Sequence, residues 1–399
     1  MTSSSDILVA EIDRFLEILE SAQDDRELRA LFDTFEEKYD LNLPSDPFSD
    51  HYRATQFALY ERLAGKPYTP ANEVSGFDVA EMAISPFPYH HQSSDLVGEQ
   101  LMAIGYIIKV MALPPGARIL EFGPGWGNTT LALAKMGYQV TAVDIEKNFV
   151  DLIRRRAEME GLNIDARVGD FSLIDALDDQ FDAVLFFECF HHAQDHIKLI
   201  SAFDRVLRPD GLVCFAAEPI NETFPLPWGL RMDGQSVWAI RKNGWLELGF
   251  NLKYFSEALR RNGFICTRHK GADSPLSSVL LARRKADFER VRKVLRYRHA
   301  DGTLFHQCGV IKGDSLAVSP EDRGVVSFGP YAHLPSGSYE LTIRFSNIDI
   351  PADSLSWDIV TNKARWFLIE PERLNVPSDG VIKQTVSLYP SGEGRGVKR

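Results

Sequence analysis

A glycine-rich segment follows the first apolar run of the chain that has the character of a buried strand, residues 118–122. Glu121 lies near the end of this run, and glycines follow at positions 123, 125 and 127. Glycine lets the backbone turn tightly and approach a ligand closely, because no Cβ atom stands in the way. The dinucleotide fingerprint needs glycine at its sixth position, where this chain has Asn128, and the Gly-Lys-Ser/Thr of phosphate-binding loops is absent. Neither of those two ligand classes is therefore predicted.

Two adjacent histidines, His191 and His192, follow a later apolar run, residues 181–187. A histidine near its unperturbed pKa accepts a proton at neutral pH, so each is a candidate general base. Glu188, directly after the same run, is the third candidate catalytic residue. The alternative is structural, with one histidine packed under the next helix and the other capping it. His192 and His196 have the i, i+4 spacing of two metal ligands on one helix face, but no further ligand is evident, so no metal is predicted.

The elements that must position these residues alternate between strands and helices from about residue 96. Short apolar runs bounded by turn residues predict buried parallel strands, and helix-patterned segments separate them. This alternation predicts an α/β fold, a doubly wound sheet with helices on both faces. In such a sheet the ligand crevice lies at the carboxyl ends of the strands.

The segment Glu121-Phe-Gly-Pro-Gly-Trp-Gly resembles the first motif of class I S-adenosylmethionine (SAM)-dependent methyltransferases, an acid followed by Gly-x-Gly-x-Gly. The resemblance covers roughly residues 95–283, and it implies a seven-stranded Rossmann-like methyltransferase sheet with SAM as the cofactor. It implies that Asp144 binds both ribose hydroxyls, since a carboxylate can accept two hydrogen bonds at once. The resemblance also implies that residues 186–192 face the methyl group and the acceptor. The other implied cofactor-binding residues are Glu121, Gly123, Pro124, Gly125, Gly127, Ile145, Gly169, Asp170, Phe171 and Glu188.

The regions around this core show different patterns. The helical periodicity of residues 1–75 predicts an N-terminal helical cap. The resemblance implies that residues 76–285 form the methyltransferase domain and that residues 219–250 are its substrate-covering insertion. A linker helix over residues 286–300 then leads to an antiparallel β-sandwich over residues 301–399. A carbohydrate-binding-like module is one interpretation of this sandwich. The tryptophans of the insertion suit a ring-shaped polar acceptor, although burying the insertion against the cap explains them equally well.

Charge and composition restrict the partners. The formal net charge of −12 opposes contact with phosphate backbones, so no nucleic-acid partner is predicted. No apolar run approaches the ~20 residues that span a bilayer, and the N-terminus lacks the pattern of a signal peptide. The expectation is a cytoplasmic protein without a transmembrane segment. The oligomeric state is not predicted.

Softer resemblances concern the acceptor. Residues 45–50 and 59–68 look like a region of methyltransferases from bacterial surface-polysaccharide biosynthesis, and residues 328–339 are similar to β-sandwich modules attached to such enzymes. These resemblances imply O-methylation of a sugar hydroxyl, on a glycan or a nucleotide-linked sugar. Two alternatives stay open: a methyltransferase for a small phenol, acid or lipid-linked metabolite, and a non-catalytic SAM-binding scaffold that recognises glycans.

Overall fold

A computed structural model describes the chain over residues 4–36, 39, 43–74, 76–85, 93–271, 274, 276–285, 297–300, 302–319, 321–329, 337–346, 355–361, 366–373 and 380–388. The chain divides into two compact units, Met1–Glu289 and Arg290–Arg399. Most of the predicted linker helix lies outside the described residues. The domain boundaries drawn from the sequence stay a prediction.

The described strands of the first unit form two sheets. They are β1 (Arg118–Phe122), β2 (Gln139–Asp144), β3 (Ile164–Val168), β4 (Phe181–Phe187), β5 (Leu207–Ala216), β6 (Ile220–Asn221), β7 (Trp228–Leu230), β8 (Leu248–Asn251), β9 (Phe264–Lys270) and β10 (Ser278–Arg284). The main sheet has the order β3-β2-β1-β4-β5-β10-β9. The predicted seven-stranded, doubly wound sheet is confirmed. It is not wholly parallel, because β10 follows β9 through a short connection and runs antiparallel to both β9 and β5.

The two faces of the main sheet are covered by different helices. The described helices of this unit are α1 (Ser4–Leu19), α2 (Asp25–Phe32), α3 (Asp50–Ala64), α4 (Val79–Ala83), α5 (Ser94–Met111), α6 (Asn128–Lys135), α7 (Lys147–Glu160), α8 (His196–Val206), α9 (Gly234–Trp238) and α10 (Leu252–Arg261). Successive strand residues point to opposite faces. Leu120 and Phe186 accordingly join a core with α8, α10 and the N-terminal helices, whereas Ile119 and Leu185 join a core with α5 and α6.

The insertion forms the small sheet, of order β6-β8-β7, and packs against the N-terminal helices. The Tyr52 hydroxyl of α3 donates to the Trp228 carbonyl oxygen at 2.8 Å, and Trp228 Nε1 donates to the Pro47 carbonyl oxygen at 2.8 Å. The Trp238 ring lies 5.6 Å from the ring of Phe32 in α2. These two tryptophans therefore bury the insertion against the helical segment, as the structural alternative in the sequence analysis holds.

The second unit contains antiparallel strand pairs. They are β11 (Val310–Lys312) with β12 (Ser315–Ala317), β13 (Gly337–Arg344) with β16 (Val381–Leu388), and β14 (Ser356–Thr361) with β15 (Trp366–Arg373). Phe328 lies outside these strands and makes an isolated antiparallel bridge with Phe305. Antiparallel pairing agrees with the predicted class of structure, while the packing of the pairs into a sandwich stays a prediction.

Candidate active site

The glycine segment leaves β1 with three residues in the left-handed region, Gly123 (φ 57°), Gly125 (φ 50°) and Gly127 (φ 77°). A Cβ atom on Gly123 would lie 2.6 Å from Cys189 Cβ, and one on Gly127 would lie 2.4 Å from Ile153 Cγ1. These two glycines are required by packing as well as by conformation. A Cβ atom on Gly125 would meet nothing within 4 Å, so this part of the loop borders open space.

Two buried carboxylates stand at the neighbouring ends of β1 and β2. Glu121 accepts a hydrogen bond from Thr130 Oγ1 at 2.6 Å. Asp144 accepts from the Gly125 backbone N–H at 3.0 Å and from the Glu146 backbone N–H at 2.8 Å. Burial raises the pKa of Glu121 to about 7 and that of Asp144 to about 6, although these hydrogen bonds oppose the shift. The fold thus holds two carboxylates beside the glycine loop at a considerable cost in charge burial.

The end of β3 adds the third group of predicted cofactor-binding residues. The Gly169 backbone N–H donates to the Asp144 carbonyl oxygen at 2.9 Å, which joins the two strand ends. Asp170 accepts a hydrogen bond from the Ser172 backbone N–H at 2.8 Å. The Phe171 ring lies 5.6 Å from the ring of Phe122. The predicted cofactor-binding residues therefore converge on adjacent strand ends, where the α/β sheet places its crevice.

The burial of Glu121 leads to a stability prediction. Its folded-state pKa lies above the ordinary value of 4.5, at about 7. The folded state therefore binds this proton more tightly than the unfolded state, and the ionised group destabilises the fold at pH values above 7. We expect Glu121→Gln to raise the free energy of unfolding of the ligand-free protein by roughly 2–3 kcal/mol at pH 8.

This stabilisation should shrink as the pH falls from 7 to 4.5. In this range Glu121 takes up a proton on folding, and the cost of that uptake disappears as the unfolded chain itself becomes protonated. Urea unfolding at pH 8 and at pH 5 measures both effects, with Glu61→Gln on the exposed face of α3 as the matched control. A variant no more stable than the wild type at pH 8 would show that Glu121 carries no burial penalty.

Glu188 stands at the end of β4 in a strained backbone conformation. Its φ is 53°, in the left-handed region, which non-glycine residues rarely adopt and which is found most often at functional sites. Gln100 Nε2 of α5 donates to Glu188 Oε2 at 3.0 Å. Burial raises the pKa of Glu188 above its ordinary value. At Glu188 the backbone thus leaves the extended conformation of β4.

His191 is held by a carboxylate from the next strand end. Glu218, two residues after β5, lies 2.8 Å from His191 Nδ1 and accepts hydrogen bonds from the backbone N–H groups of Cys189, Phe190 and His191. Burial raises the pKa of Glu218, but His191 and the backbone donors outweigh burial and hold this pKa below its ordinary value. An ionised carboxylate only accepts hydrogen bonds, so His191 Nδ1 carries a proton, and Nε2 is the ring nitrogen that faces away from Glu218.

His192 has a different environment. Its Nδ1 lies 3.4 Å from Glu73 Oε2, an ion-pair distance without hydrogen-bond geometry. Burial lowers the pKa of His192, but Glu73, with Glu247 and Glu218, outweighs burial and raises it to about 9. A protonated imidazole has no lone pair to receive a further proton. The geometry therefore favours His191 over His192 as a base.

A third acid closes the group of side chains. His191 Nε2 lies 3.6 Å from Glu247 Oε2, and Arg231 Nη1 lies 3.5 Å from the same oxygen. His191, His192 and Glu247 offer ligand atoms that all lie within 4.8 Å of one another. In the described part of the chain, these are the residues whose donors could hold a metal ion.

His196 does not join this cluster. Its Nε2 lies 2.8 Å from the Tyr254 hydroxyl, and its ring is buried with the rings of Trp228 and Phe250. Burial lowers the pKa of His196 to about 3, so the ring is neutral in the core. The i, i+4 spacing of His192 and His196 therefore brings no shared ligand site.

Glu73, Glu218 and Glu247 were not singled out by the sequence analysis. Glu218 had a usable signal, because it is an acid directly beyond the carboxyl end of a parallel strand. Glu73 follows α3 and Glu247 lies in the insertion, and neither has a local pattern that marks it. Glu146 was also missed. Its Oε2 is buried without a hydrogen-bond partner, two residues after Asp144.

Residues 120–215, which span β1 to β5, match the family model described as "Methyltransferase domain". A ubiquinone biosynthesis O-methyltransferase of Methylocella silvestris is 37% identical over 108 residues, 27% of this chain and 41% of that protein. An S-adenosyl-L-methionine-dependent Diels-Alderase of Talaromyces variabilis is 38% identical over 131 residues, 32% of this chain and 42% of that protein.

The crystal structure of a Burkholderia thailandensis 1,6-didemethyltoxoflavin-N1-methyltransferase is similar with 21% identity and a TM-score of 0.36, covering 47% of this chain and 78% of that one. The chain spans about two fifths of the two curated relatives, 41% and 42% of their lengths. The matched segment is a methyltransferase domain, and its glycine loop and sheet order agree with those of the class I SAM-dependent methyltransferases that the sequence resembles. These relatives carry no polysaccharide name, so the glycan resemblance stays a prediction.

None of the described helices is long and apolar enough to cross a membrane.

Proposed function

We propose that the chain is a SAM-dependent O-methyltransferase that acts on a hydroxyl group of a small-molecule acceptor. The observation that supports this most is the buried His191–Glu218 pair, which follows β4 and β5 beside the end of β1 and its glycine loop. A hydroxyl must lose its proton when it accepts a methyl group, and this pair supplies a base. The names of the ubiquinone biosynthesis O-methyltransferase relatives fit the same reaction.

On the cofactor side of this proposal, Asp144 accepts hydrogen bonds from the ribose hydroxyls. The loop over residues 123–127 lies along the methionine part of SAM. SAM supplies an electrophilic methyl group on its sulfonium. Alignment of acceptor and methyl group contributes several kcal/mol, about 7–11 in well-oriented systems. Glu188, the predicted acid nearest to the sulfonium, favours the bound cation by its charge.

On the acceptor side, His191 Nε2 receives the hydroxyl proton as the oxygen–methyl bond forms. The resulting imidazolium is stabilised by the ionised Glu218 on Nδ1, which also fixes the tautomer and the orientation of the ring. A positioned base of this kind typically accelerates a reaction by about 10²–10⁴-fold. His192 and Arg231 supply positive charge near the developing negative oxygen.

The class of acceptor is a further part of the proposal. Trp228 is buried against Tyr52 and Trp238 packs on Phe32, so packing explains both tryptophans without a sugar ring. A sugar hydroxyl is the second candidate, which the softer polysaccharide resemblance favours. The small-molecule hydroxyl is preferred because the relatives of the matched domain carry such names.

The test is release of S-adenosylhomocysteine from SAM with a panel of phenols, free sugars, nucleotide-linked sugars and small acids. We expect turnover with at least one hydroxyl acceptor and the product to carry an O-methyl group by mass spectrometry. Turnover on sugars alone would favour the second candidate. SAM binding without any release of S-adenosylhomocysteine would contradict the proposal and favour a SAM-binding protein that transfers no methyl group, as the name of the Diels-Alderase relative suggests for that protein.

A further inference from the structure

The acceptor side contains a group of metal-binding donors that come from separate parts of the chain. His191 and His192 lie on the short turn after β4, and Glu247 directly precedes β8 in the insertion. Their ligand atoms lie within 4.8 Å of one another. His191 and Glu247 are each only 8% exposed, so the donors are fixed by the surrounding core rather than free in solvent. We propose that His191, His192 and Glu247 bind a divalent transition-metal ion, and that binding displaces the proton of His192 to solvent.

The distances suit such an ion. His191 Nε2 and Glu247 Oε2 are 3.6 Å apart. Bonds of about 2.0–2.2 Å in tetrahedral geometry place two ligand atoms roughly 3.4 Å apart, so this edge of the site is nearly formed. The widest separation, up to 4.8 Å, exceeds the span of two such bonds, so a side chain must rotate inward slightly on binding. Glu247 Oε2 also lies 3.5 Å from Arg231 Nη1, a contact that competes with the ion.

The surroundings favour a cation in two further ways. Glu218 bonds Nδ1 of His191, which leaves Nε2 as the donor that faces Glu247. This carboxylate–histidine arrangement is the one that orients metal-binding imidazoles in proteins. The nearby acids Glu73, Glu218 and Glu247 outnumber Arg231 and the protonated His192, so a bound cation would compensate negative charge rather than add to a positive site.

The donor set also indicates the kind of ion and the acceptor. Two imidazoles and one carboxylate suit Mn²⁺, Fe²⁺, Co²⁺ or Zn²⁺ better than Mg²⁺ or Ca²⁺, which prefer oxygen donors alone. Three protein ligands leave one open position in tetrahedral geometry, and a second one when the ion expands to five ligands. The site therefore fits an acceptor with two adjacent oxygens, such as a catechol or the vicinal diol of a sugar.

This inference rests on the proposed function, because the ion would lie where the acceptor hydroxyl loses its proton. With Nε2 of His191 bound to the ion, the positive charge of the ion would acidify a bound hydroxyl, whose proton would pass to solvent water instead of to His191. If His191 is the base, methyl transfer does not depend on added metal. If the ion acidifies the hydroxyl, methyl transfer depends on the metal, and this difference is measurable.

The experiment titrates Co²⁺ into chelator-washed, tag-free full-length protein by calorimetry and follows the visible Co²⁺ absorption, without SAM or acceptor. We expect one site per chain. Glu247→Gln and His192→Gln should weaken Co²⁺ binding by about 100-fold or more, and Glu218→Gln by about 10–100-fold. The exposed His51→Gln and Glu61→Gln are matched controls and should bind as the wild type does. Thermal unfolding of each variant shows that it is folded.

Absence of a Co²⁺ site, or equal affinity in the wild type and in folded Glu247→Gln and His192→Gln, would overturn the metal proposal. The acceptor panel, run with chelated and with Co²⁺-loaded protein, separates the two proposals. Methyl transfer by chelated protein that binds no Co²⁺ rejects the metal site and keeps the O-methyltransferase. One Co²⁺ bound by these residues without methyl transfer to any acceptor keeps the metal site and rejects the proposed reaction.

Discussion

Asp144→Asn is expected to weaken SAM binding by about 100-fold or more while leaving the fold intact. The carboxylate is assigned two hydrogen bonds from the ribose, and hydrogen bonds to a charged group contribute about 1.5–3 kcal/mol each. An asparagine offers one acceptor oxygen and places an N–H₂ donor where the second hydroxyl must donate. It also keeps only one of the two backbone bonds, from Gly125 and Glu146, that the aspartate accepts. The lost backbone bond is offset by the relief of a buried charge.

The pH dependence of SAM affinity makes this prediction sharper. The pKa of Asp144 is raised to about 6, chiefly by burial. Below this pH the ligand-free protein binds a proton that the ribose must displace, so the affinity should fall by up to about tenfold per pH unit in the wild type. The asparagine variant should lack this slope. Calorimetric titration with SAM at pH 5, 6 and 7.5 measures both, with the exposed Asp165→Asn of β3 as the matched control.

Equal SAM affinity in Asp144→Asn and the wild type would remove Asp144 from the cofactor site. A loss of affinity accompanied by a large fall in the unfolding temperature would instead assign the residue a structural role. Such a role is conceivable because Asp144 joins the ends of β1 and β3 through the Gly125 N–H and its own carbonyl oxygen. The small change in stability is therefore part of the expected result.

The residues proposed for the cofactor half of the site can be located from the sequence because their signals are local, and their role in binding stays a prediction. Each strand is a short apolar run, and Glu121, Asp144 and Asp170 each stand at or just beyond a strand end. A parallel sheet brings such ends together whatever the rest of the chain does. The antiparallel direction of β10 was not predicted, because an apolar run does not show its direction in the sheet until its connection to the preceding strand is known.

The acceptor half was predictable only in part. His191 and His192 have the same local pattern, yet Glu218 pairs with one and Glu73 lies beside the other. These acids and Glu247 are remote in sequence and reach the site through the packing of the N-terminal helices and the insertion. His192 lies on the turn before α8, and His196 is the first residue of that helix. Their i, i+4 spacing therefore does not decide where each side chain points, and long-range packing places His196 in the core.

His191→Gln should lower kcat by about 10²–10⁴-fold, the range of a lost general base, with the Kd for SAM changed less than threefold. Glutamine retains a polar group near Glu218 but cannot take up a proton. Glu218→Gln is expected to lower kcat as well, because an amide cannot stabilise the imidazolium and offers one acceptor oxygen to donors that the carboxylate now satisfies with two. Single-turnover rates and SAM titration separate the effect on chemistry from the effect on binding.

A change of acceptor distinguishes a base from a residue that only shapes the site. An acceptor whose hydroxyl is already ionised at the assay pH needs no base, so His191→Gln should recover most of the lost rate with it, while a damaged site would stay slow. The exposed His51→Gln serves as the control and should behave as the wild type with both acceptors. If His191→Gln is equally slow with neutral and ionised acceptors, His191 is not the base. The chelated and Co²⁺-loaded proteins should then be compared with the same two acceptors, because a metal ligand at this position predicts a rate that follows the metal rather than the ionisation of the hydroxyl.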